Sequence, residues 1–414
     1  MASPYLEIFR SPRIAVVTLL GFASGLPLAL TGGTLQAWLT VEGVDIKTIA
    51  WFSWIGLPYL LKFLWSPAMD RFVPPFLGRR RGWILMGQVG LVIGIAAMAL
   101  GSPNDSLWFI GAMALWVAFA SASQDIVIDA YRTDLLPQPE RGMGAAVNVL
   151  GYRIAMLASG GFALILADQI GWKSTYLVMA GVMALTMIVT LFAPEPESPA
   201  HAPRTLGEAV IGPLKDLLGR RGAFTLFLLV MFYKFGDALA GTLTTAFLIR
   251  GVGFTPTDVG VVNKGLGLAA LLGGALVGGV LLAKLSLVRA LLLFGVLQAI
   301  SNLSFAWLAW AGKSYPLLVF TVAFENLASG MGTAAFVALV MALCHRSYSA
   351  TQYALLSALA SLGRILFGPL TGTLVQQFGW AQFFVLTFFA ALPGLVLVWL
   401  MRAEITAAER ENPA

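Results

Sequence analysis

The sequence has few charged side chains for its length. Only 11% of its 414 residues are charged and 58% are hydrophobic, whereas a soluble domain is about 25% charged. So many apolar residues with so little charge indicate an integral membrane protein. Membrane embedding also overrides the division into about three soluble domains that the length alone would suggest.

Cysteine and histidine are scarce as well. The single cysteine, Cys344, rules out an internal disulfide, and the two histidines, His201 and His345, form no cluster with zinc-ligand spacing. The sequence contains no phosphate-binding loop, nucleophile elbow or HExxH motif. ATP-driven transport and membrane proteolysis therefore have no support, and we expect a protein that is not an enzyme and holds no metal or cofactor.

Apolar stretches long enough to cross a bilayer recur along the chain. The first is too long for the core of a signal peptide and is interpreted as a membrane span. The twelve predicted spans are 14–39, 46–66, 83–101, 107–135, 142–168, 173–193, 223–250, 257–283, 288–311, 315–343, 349–377 and 380–402. The predicted fold is all-α, with six helices in residues 1–193 and six in residues 223–402. A polar linker, 194–222, joins the halves, and a short tail, 403–414, follows.

Lysine and arginine are divided unevenly between the two sides of these spans. Of the 26 residues, seventeen lie in the terminal segments and in the loops after even-numbered spans, and four lie in the opposite loops. Positive side chains concentrate on the cytoplasmic side of membrane proteins. Both termini are therefore expected in the cytoplasm, and the net charge of +6 is interpreted as a topology signal rather than as a sign of nucleic-acid binding.

The two predicted halves resemble each other. Gly171-Trp172, after the fifth span, matches Gly379-Trp380 after the eleventh, and Trp38 in the first span matches Phe247 in the seventh. Two parallel six-helix halves joined by a polar linker are typical of major facilitator transporters, which bind substrate near the middle of the membrane between the halves. The sequence therefore predicts the major facilitator fold.

The fourth predicted span carries two acids in the stretch SASQDIVIDAYRTDLLP. Asp125 and Asp129 are four residues apart on one helix face, and Asp125 lies roughly 15 Å from the cytoplasmic end. A carboxylate in hydrocarbon is unfavourable by about 2.5–3.5 kcal/mol. The acids either pair with a buried arginine or with Arg132 and hold helices together, or they exchange protons. The tenth span, which matches the fourth, has no such pair, and this asymmetry favours proton coupling.

Five cations lie within other spans. Lys234 and Asp237 are three residues apart and either neutralise each other on one helix face or leave Lys234 to receive a substrate carboxylate. Lys62, near a span end, is expected to extend to water, and the same is a structural alternative for Lys264. The other two are Arg153 and Arg364, which either bind an anion or pair with an acid.

Six long motifs resemble the AmpG family of muropeptide permeases. They are GFASGLPLALTGGTLQAWLT at 21–40, KFLWSPAMDR at 62–71, GRRRGW at 78–83, SASQDIVIDAYRTDLLP at 121–137, FLIRGVGFTPTDVGVVNKGLG at 247–267 and FENLASGMGTAAFVALVMALC at 324–344. The resemblance implies a bacterial inner-membrane permease that imports N-acetylglucosaminyl-1,6-anhydro-N-acetylmuramyl peptides from periplasm to cytoplasm. It further implies that the proton gradient drives import, and that import serves cell-wall recycling and, through it, induction of β-lactamase.

A substrate of this kind is large, polar and anionic through its peptide carboxylates. Cations within the spans suit those carboxylates, while amides and aromatic rings suit sugar hydroxyls and sugar faces. The candidate substrate-binding residues are Gln36, Gln124, Tyr152, Arg153, Tyr233, Lys234, Asp237, Asn263, Lys264, Glu325, Asn326, Gln352 and Arg364. The proton-coupling candidates are Asp125 and Asp129.

The expected partners are the anhydromuropeptide, protons and the lipid bilayer, with no nucleic acid, and the protein is expected to act as a monomer. The alternative function is transport of another large anionic conjugate, such as an acyl-coenzyme A. A membrane acyl or glycosyl transferase would need a catalytic constellation at a membrane face, and no motif supplies one.

The loop after the second span is the candidate gating loop. Many major facilitators have Asp-Arg followed closely by glycine and basic residues. Here the stretch DRFVPPFLGRRR inserts a proline-rich spacer, which departs from that pattern. The candidate gating residues are Asp70, Arg71, Arg79 and Arg80.

Overall fold

The computed structural model describes residues 11–137, 140–196, 219, 222–344 and 349–411. Across these residues the regular structure is helical, without a strand, as the sequence predicts. Ten of the described helices are long and apolar enough to cross a membrane. The chain forms two compact units. Among the described residues, the first unit contains 11–44 and those between 55 and 196, and the second contains Asp45–Trp54 and those between 219 and 411.

Ten helices lie before residue 196. They are α1 (Pro12–Thr31), α2 (Gly33–Val41), α3 (Ile46–Trp51), α4 (Leu57–Leu61), α5 (Ser66–Arg71), α6 (Arg79–Leu100), α7 (Leu107–Leu135), α8 (Arg141–Met156), α9 (Ala163–Ile170) and α10 (Trp172–Phe192). Segments of 3₁₀-helix at Phe52–Gly56 and Lys62–Leu64 flank α4, and a π-helix at Leu157–Phe162 joins α8 to α9.

Eight helices follow residue 222 among the described residues. They are α11 (Ala223–Tyr233), α12 (Phe235–Ala246), α13 (Pro256–Asp258), α14 (Gly267–Leu282), α15 (Leu287–Ala311), α16 (Tyr315–Leu343), α17 (Ser349–Leu400) and α18 (Arg402–Glu411). Two π-helices, Phe247–Val252 and Val259–Leu266, extend α12 and join α13 to α14. Most of the predicted linker 194–222 lies outside the described residues.

The helical segments agree with the predicted spans to within a few residues at their ends. Single-residue breaks at Gly32 and Lys234 interrupt two of the spans, and two larger differences remain. The predicted span 46–66 is not one helix, because Pro58 and Pro67 lack an N–H and each begins a new segment in its first turn. The predicted spans 349–377 and 380–402 are joined in α17, whose backbone leaves the helical conformation at Gly379.

Close approach of α1 and α8 shapes the first unit. A Cβ atom on Gly21 would lie 2.4 Å from the Asn148 carbonyl oxygen, and one on Gly151 would lie 2.1 Å from the Thr18 carbonyl oxygen. Neither position has room for a side chain, so the two backbones meet directly. This contact fixes the separation of the two helices that carry the polar side chains described below.

Two acids hold the start of α6. The Glu195 carboxylate accepts hydrogen bonds from the backbone N–H groups of Arg80 (2.7 Å) and Arg81 (3.0 Å), and the Arg80 Nε donates to Asp134 at 2.8 Å. Free N–H groups and the helix dipole both favour a carboxylate at a helix N-terminus. The Arg81 side chain donates to the Thr190 carbonyl at 3.0 Å. The basic run at 79–81 therefore anchors α6 to the ends of α7 and α10.

The same aromatic contact occurs once in each unit. In the first unit Trp38 packs on two rings of α10, with centroids 6.1 and 5.1 Å away. In the second unit Phe247 packs on two rings of α17, with centroids 5.3 and 4.7 Å away. The rings are Trp172 and Tyr176 in the first unit and Trp380 and Phe384 in the second. The predicted match of Trp38 with Phe247 is therefore confirmed.

Each of these ring pairs follows a glycine with a backbone conformation that other residues avoid. Gly171 has φ 79° and ψ 165°, and Gly379 has φ 78° and ψ 172°. This region of conformational space is essentially restricted to glycine. The predicted match of Gly171-Trp172 with Gly379-Trp380 is confirmed, because both glycines make the same sharp turn between two helices.

We expect Gly379→Ala to lower the free energy of unfolding by about 1–3 kcal/mol through backbone strain. A steric clash is not the cause, since the nearest atom to an added Cβ is the Gln382 Oε1 at 3.5 Å. The matched control is Gly181→Ala within α10, where an added Cβ meets nothing within 4 Å and the backbone is helical. Thermal unfolding in detergent should show a lower midpoint for Gly379→Ala only, and equal midpoints for both variants would contradict the strain argument.

Candidate functional site

Asp125 lies within the first unit at a meeting point of several helices. The Ser24 hydroxyl of α1 donates to the Asp125 Oδ1 at 2.5 Å. Lys62 and Asp129 both lie close enough to act electrostatically on the Asp125 carboxylate. Lys62 therefore belongs to the Asp125 cluster. Its position near a span end instead predicts a side chain that extends to water. The cluster contains an acid, a hydroxyl donor and a cation, so it can stabilise either charge state of the acid.

Tyr59 adds a second hydroxyl beside Asp125. Its Oη atom is buried and interacts electrostatically with Asp125. Ser121 and Thr31 are its hydroxyl neighbours, yet Tyr59 Oη has no hydrogen-bond partner with acceptable geometry among the described residues. A buried hydroxyl without a partner is uncommon in folded proteins and indicates a ligand, a water molecule or a rearrangement. The cluster around Asp125 therefore has unused hydrogen-bonding capacity.

The two acids of α7 differ in their surroundings. The Asp129 side chain is 56% exposed and its Oδ1 lies 3.3 Å from the Arg132 guanidinium of the same helix. Asp125 is half-buried and takes its hydrogen bond from α1. An exposed ion pair contributes little to stability. The local pairing with Arg132 that the sequence offers as an alternative is therefore present for Asp129.

Arg153 is the candidate anion-binding residue of α8. Its side chain is half-buried, and it makes no hydrogen bond or ion pair with any side chain that the structure describes. A guanidinium is always ionised and offers five donors in a planar fork that suits a carboxylate. An arginine in this position can therefore accept an anionic ligand without losing an internal partner.

The remaining candidates of the first unit are dispersed. Gln124 is fully buried and faces α6, with its Cβ 3.2 Å from the position of an added Cβ on Gly87. Both of its amide atoms are without partners among the described residues. Tyr152 of α8 is half-buried near Tyr59, and Gln36 of α2 is half-buried. Of these three, only Tyr152 joins the Asp125 cluster.

A second cluster lies within the second unit, where α11 gives way to α12. The helix is interrupted at Lys234, which has φ −103° and ψ 6°. The Lys234 Nζ lies 3.7 Å from the Asp237 Oδ2 and 3.4 Å from the Ser329 carbonyl oxygen. Gln298 and Ser329 also donate to the Asp237 Oδ2, at 2.9 and 3.2 Å. The ion pair expected from the three-residue spacing is present, and donors from α15 and α16 surround its acid.

Glu325 of α16 completes this second cluster. The Asn326 Nδ2 donates to the Glu325 Oε2 at 2.6 Å, and Lys264, Lys234 and Asp237 act electrostatically on the carboxylate. Lys264 lies on the π-helix before α14, and such π-helical turns are frequent at functional sites. The structure thus assembles two lysines and two acids that the sequence leaves on three separate spans.

The other candidates of the second unit differ in burial and in their contacts. The Tyr233 hydroxyl donates to the Leu291 carbonyl at 3.1 Å, and its ring stacks on Phe336 at a centroid distance of 5.8 Å. These contacts account for Tyr233 as part of the hydrophobic core. Gln352 is fully buried on α17, and Arg364 is exposed on the same helix. Asn263 is half-buried beside Lys264.

The candidate gating residues receive different roles in the structure. Arg71 is exposed at the end of α5, and Arg79 begins α6. The Asp70 side chain lies outside the described residues. Arg80 is buried against Asp134, and its backbone binds Glu195. The proline-rich spacer therefore separates the exposed Arg71 from the basic run at 79–81, which is held by contacts with Asp134 and Glu195.

Several partners of these clusters are missed by sequence reasoning. Ser24, Tyr59, Gln298 and Glu195 reach their partners across more than sixty residues of chain, and no local spacing indicates such contacts. A weak signal exists only for Gln298, because it and Asn302 are side-chain amides one turn apart in a mostly apolar span.

An all-helical chain with polar clusters inside each of two units has the organisation of a secondary transporter. Residues 17–320 match the sequence profile of the Major Facilitator Superfamily. The chain therefore belongs to the major facilitator superfamily and is a multi-pass membrane transporter rather than an enzyme.

Individual relatives narrow the comparison. The chain is 55% identical over 403 residues to the Anhydromuropeptide permease of Escherichia coli (strain K12), covering 97% of this chain and 82% of that protein. It is 34% identical to the transporter AmpG 4 of Rickettsia felis, with 96% and 99% of the two chains covered. The sequence resemblance to AmpG permeases is therefore confirmed.

Solved structures share the fold. A bacterial homologue of the human lysosomal transporter Spinster superimposes with a TM-score of 0.76 at 16% identity, and all of both chains is covered. A POT family transporter in complex with a thioalcohol-conjugated peptide gives a TM-score of 0.74 at 13% identity, with 95% of this chain and 96% of that chain covered. At these identities the similarity shows the fold alone.

The Lys234–Asp237 pair offers a test of charge compensation. Removing one partner leaves an uncompensated charge, so Lys234→Gln and Asp237→Asn should each lower the free energy of unfolding by about 3–5 kcal/mol. The double variant should recover a large part of that loss, which a thermal-unfolding double-mutant cycle measures. The control is Lys284→Gln, an exposed lysine that should leave the midpoint unchanged. Strictly additive losses in the double variant would show that the pair is not coupled.

Proposed function

We propose that the protein imports anhydromuropeptides, the N-acetylglucosaminyl-1,6-anhydro-N-acetylmuramyl peptides of peptidoglycan turnover, across the bacterial inner membrane by proton-driven alternating access. The observation that carries this proposal is the 55% identity over 97% of the chain to the Escherichia coli permease of that name. Import would proceed from periplasm to cytoplasm and serve cell-wall recycling and, through it, β-lactamase induction.

In the proposed topology the chain crosses the membrane twelve times. Nine crossings correspond to the apolar helical spans between residues 12 and 343, and two correspond to the parts of α17 before and after Gly379. We assign the remaining crossing to the broken segment 46–71. The halves are 1–193 and 223–402, the linker is 194–222 and the tail is 403–414. The bias of lysine and arginine supports cytoplasmic termini, and we propose a monomer.

The chemistry of the second unit suits an anionic substrate. Lys264 makes no hydrogen bond or ion pair of 4.0 Å or less with the part of the chain that is described, although Glu325 acts on it electrostatically. It therefore provides a cation that a peptide carboxylate can engage without displacing a tight ion pair. Asn263 adjoins Lys264 and Asn326 adjoins Glu325, and both supply amides for sugar or peptide groups. Tyr233 is part of the hydrophobic core, and we do not propose that it contacts the substrate.

Asp125 is the proposed proton carrier. Its hydroxyl donor Ser24 and its cation Lys62 are contributed by different helical segments, so movement of those segments changes the environment of the carboxyl. Asp129 is exposed and paired with Arg132, which supports a smaller contribution from that acid. A carboxyl that gains a proton on one side of the membrane and loses it on the other couples the gradient to transport.

The first test is uptake in proteoliposomes with an inward proton gradient. Wild-type protein should accumulate labelled anhydro-disaccharide tripeptide, and Asp125→Asn should equilibrate the substrate without accumulating it, because the variant side chain carries no exchangeable charge. Counterflow against internal unlabelled substrate should persist in Asp125→Asn. The matched comparison is Asp129→Asn, which should retain most of the accumulation. Loss of counterflow together with accumulation in Asp125→Asn would assign this residue to binding or folding instead.

Arg153 should determine affinity rather than proton coupling. Loss of one partner of a buried charge pair weakens binding by about 2 kcal/mol or more, so Arg153→Gln should raise the Kd for the tripeptide substrate about thirtyfold. Arg153→Lys should recover only part of this, because lysine lacks the planar fork. Binding is measured by calorimetry, with the exposed Lys173→Gln as the charge-matched control. An unchanged Kd in Arg153→Gln would remove this residue from the site.

A further inference from the structure

The formal charges of the second cluster cancel. When all four groups are ionised, Lys234 and Lys264 contribute two positive charges and Asp237 and Glu325 contribute two negative charges, and Glu325 interacts electrostatically with the other three. A net charge in the interior of a membrane protein is unfavourable by several kcal/mol. Entry of a further anion therefore requires a compensating positive charge.

The two acids of this cluster are held very differently. The Asp237 Oδ2 accepts hydrogen bonds from Gln298 and Ser329 and pairs with Lys234 at 3.7 Å. Glu325 has no ion pair within 4.0 Å among the described residues, and its side-chain donor is the amide of the adjacent Asn326. Protonation of Asp237 would weaken three contacts, whereas protonation of Glu325 weakens one.

We propose that Glu325 takes up a proton from water when a substrate carboxylate binds to Lys264, and releases it when that carboxylate leaves. The proposal rests on the proposed function and adds a second proton site to it. The incoming carboxylate replaces Glu325 as the counter-ion of Lys264. The proton bound to Glu325 then offsets the added negative charge, so the cluster is neutral with and without substrate.

The groups that surround Glu325 support this assignment. Lys234 and Asp237 face it from the α11–α12 junction, and Lys264 faces it from the π-helix before α14. Helix α15 packs against α16, the helix that carries Glu325, and contributes the uncharged Gln298 to the cluster. Other charged side chains on α15 and α18 lie toward the Leu343 end of α16, roughly 27 Å along the helix from Glu325. Arg364 of α17 is exposed.

The experiment is calorimetry of the full-length protein in detergent at neutral and at alkaline pH. Binding of the anhydro-disaccharide tripeptide is measured in two buffers that differ in ionisation enthalpy, which gives the number of protons taken up. The Asp125→Asn background removes the other proposed proton site. In that background we expect uptake to approach one proton per bound substrate at the pH at which Glu325 is ionised in the free protein. Glu325→Gln added to this background should abolish the uptake, and Glu325→Asp should retain it.

A second measurement does not depend on the folding of a Glu325 variant. The same tripeptide with its carboxylates amidated should bind the Asp125→Asn protein without proton uptake, because it adds no negative charge. Uptake that persists with the amidated substrate, or that is unchanged by Glu325→Gln, overturns the role of Glu325. The two proposals fail in different ways. Absence of any tripeptide binding to folded wild-type protein would reject the proposed function, whereas binding without Glu325-dependent proton uptake would reject only this inference.

Discussion

A charge inside a membrane protein needs compensation, and the polar architecture of both units follows from that requirement. The first unit places one acid, Asp125, against a hydroxyl and a lysine. The second unit assembles two lysines and two acids whose formal charges cancel. Apolar packing determines the positions of the helices, and charge compensation requires that the helix faces with charged side chains lie against each other.

The two units use one framework for these different contents. In each unit the chain turns at a glycine whose backbone conformation other residues avoid. In each unit an aromatic residue from an earlier helical segment also packs on two rings that follow this glycine. The repeated parts contain no charge, and the charged clusters occur at positions that the repeat does not share. The framework therefore sets the shape of each unit, and polar residues at different positions give the two units different chemistry.

Much of the fold could be predicted from the sequence, because apolar length and charge bias are local properties of the chain. The limits of α7, α15 and α16 follow from the lengths of their apolar stretches. The Lys234–Asp237 pair follows from helical spacing. Only Pro58 and Pro67 signal the breaks within the predicted span 46–66. The apolar length of this stretch predicts one continuous helix, which is wrong.

The candidate site could be predicted only in part. Intramembrane charge singles out Asp125, Lys264 and Glu325, since such residues are unfavourable without a role. Their neighbours cannot be found in this way. Ser24 and Gln298 are ordinary polar residues whose importance comes from tertiary contacts with acids on other helices. A single sequence contains no distance between helices, so the composition of each cluster depended on the structure.

The broken segment between residues 46 and 71 has a mechanical consequence. A continuous helix resists bending because every turn is closed by hydrogen bonds, whereas a series of short α- and 3₁₀-helical pieces has already lost those bonds at its junctions. The segment is therefore compliant beside stiff neighbours such as α6 and α7. Lys62, the cation that acts on Asp125, is attached to this compliant part of the chain. A deformation of this segment would move Lys62 and thereby change the electric field at Asp125.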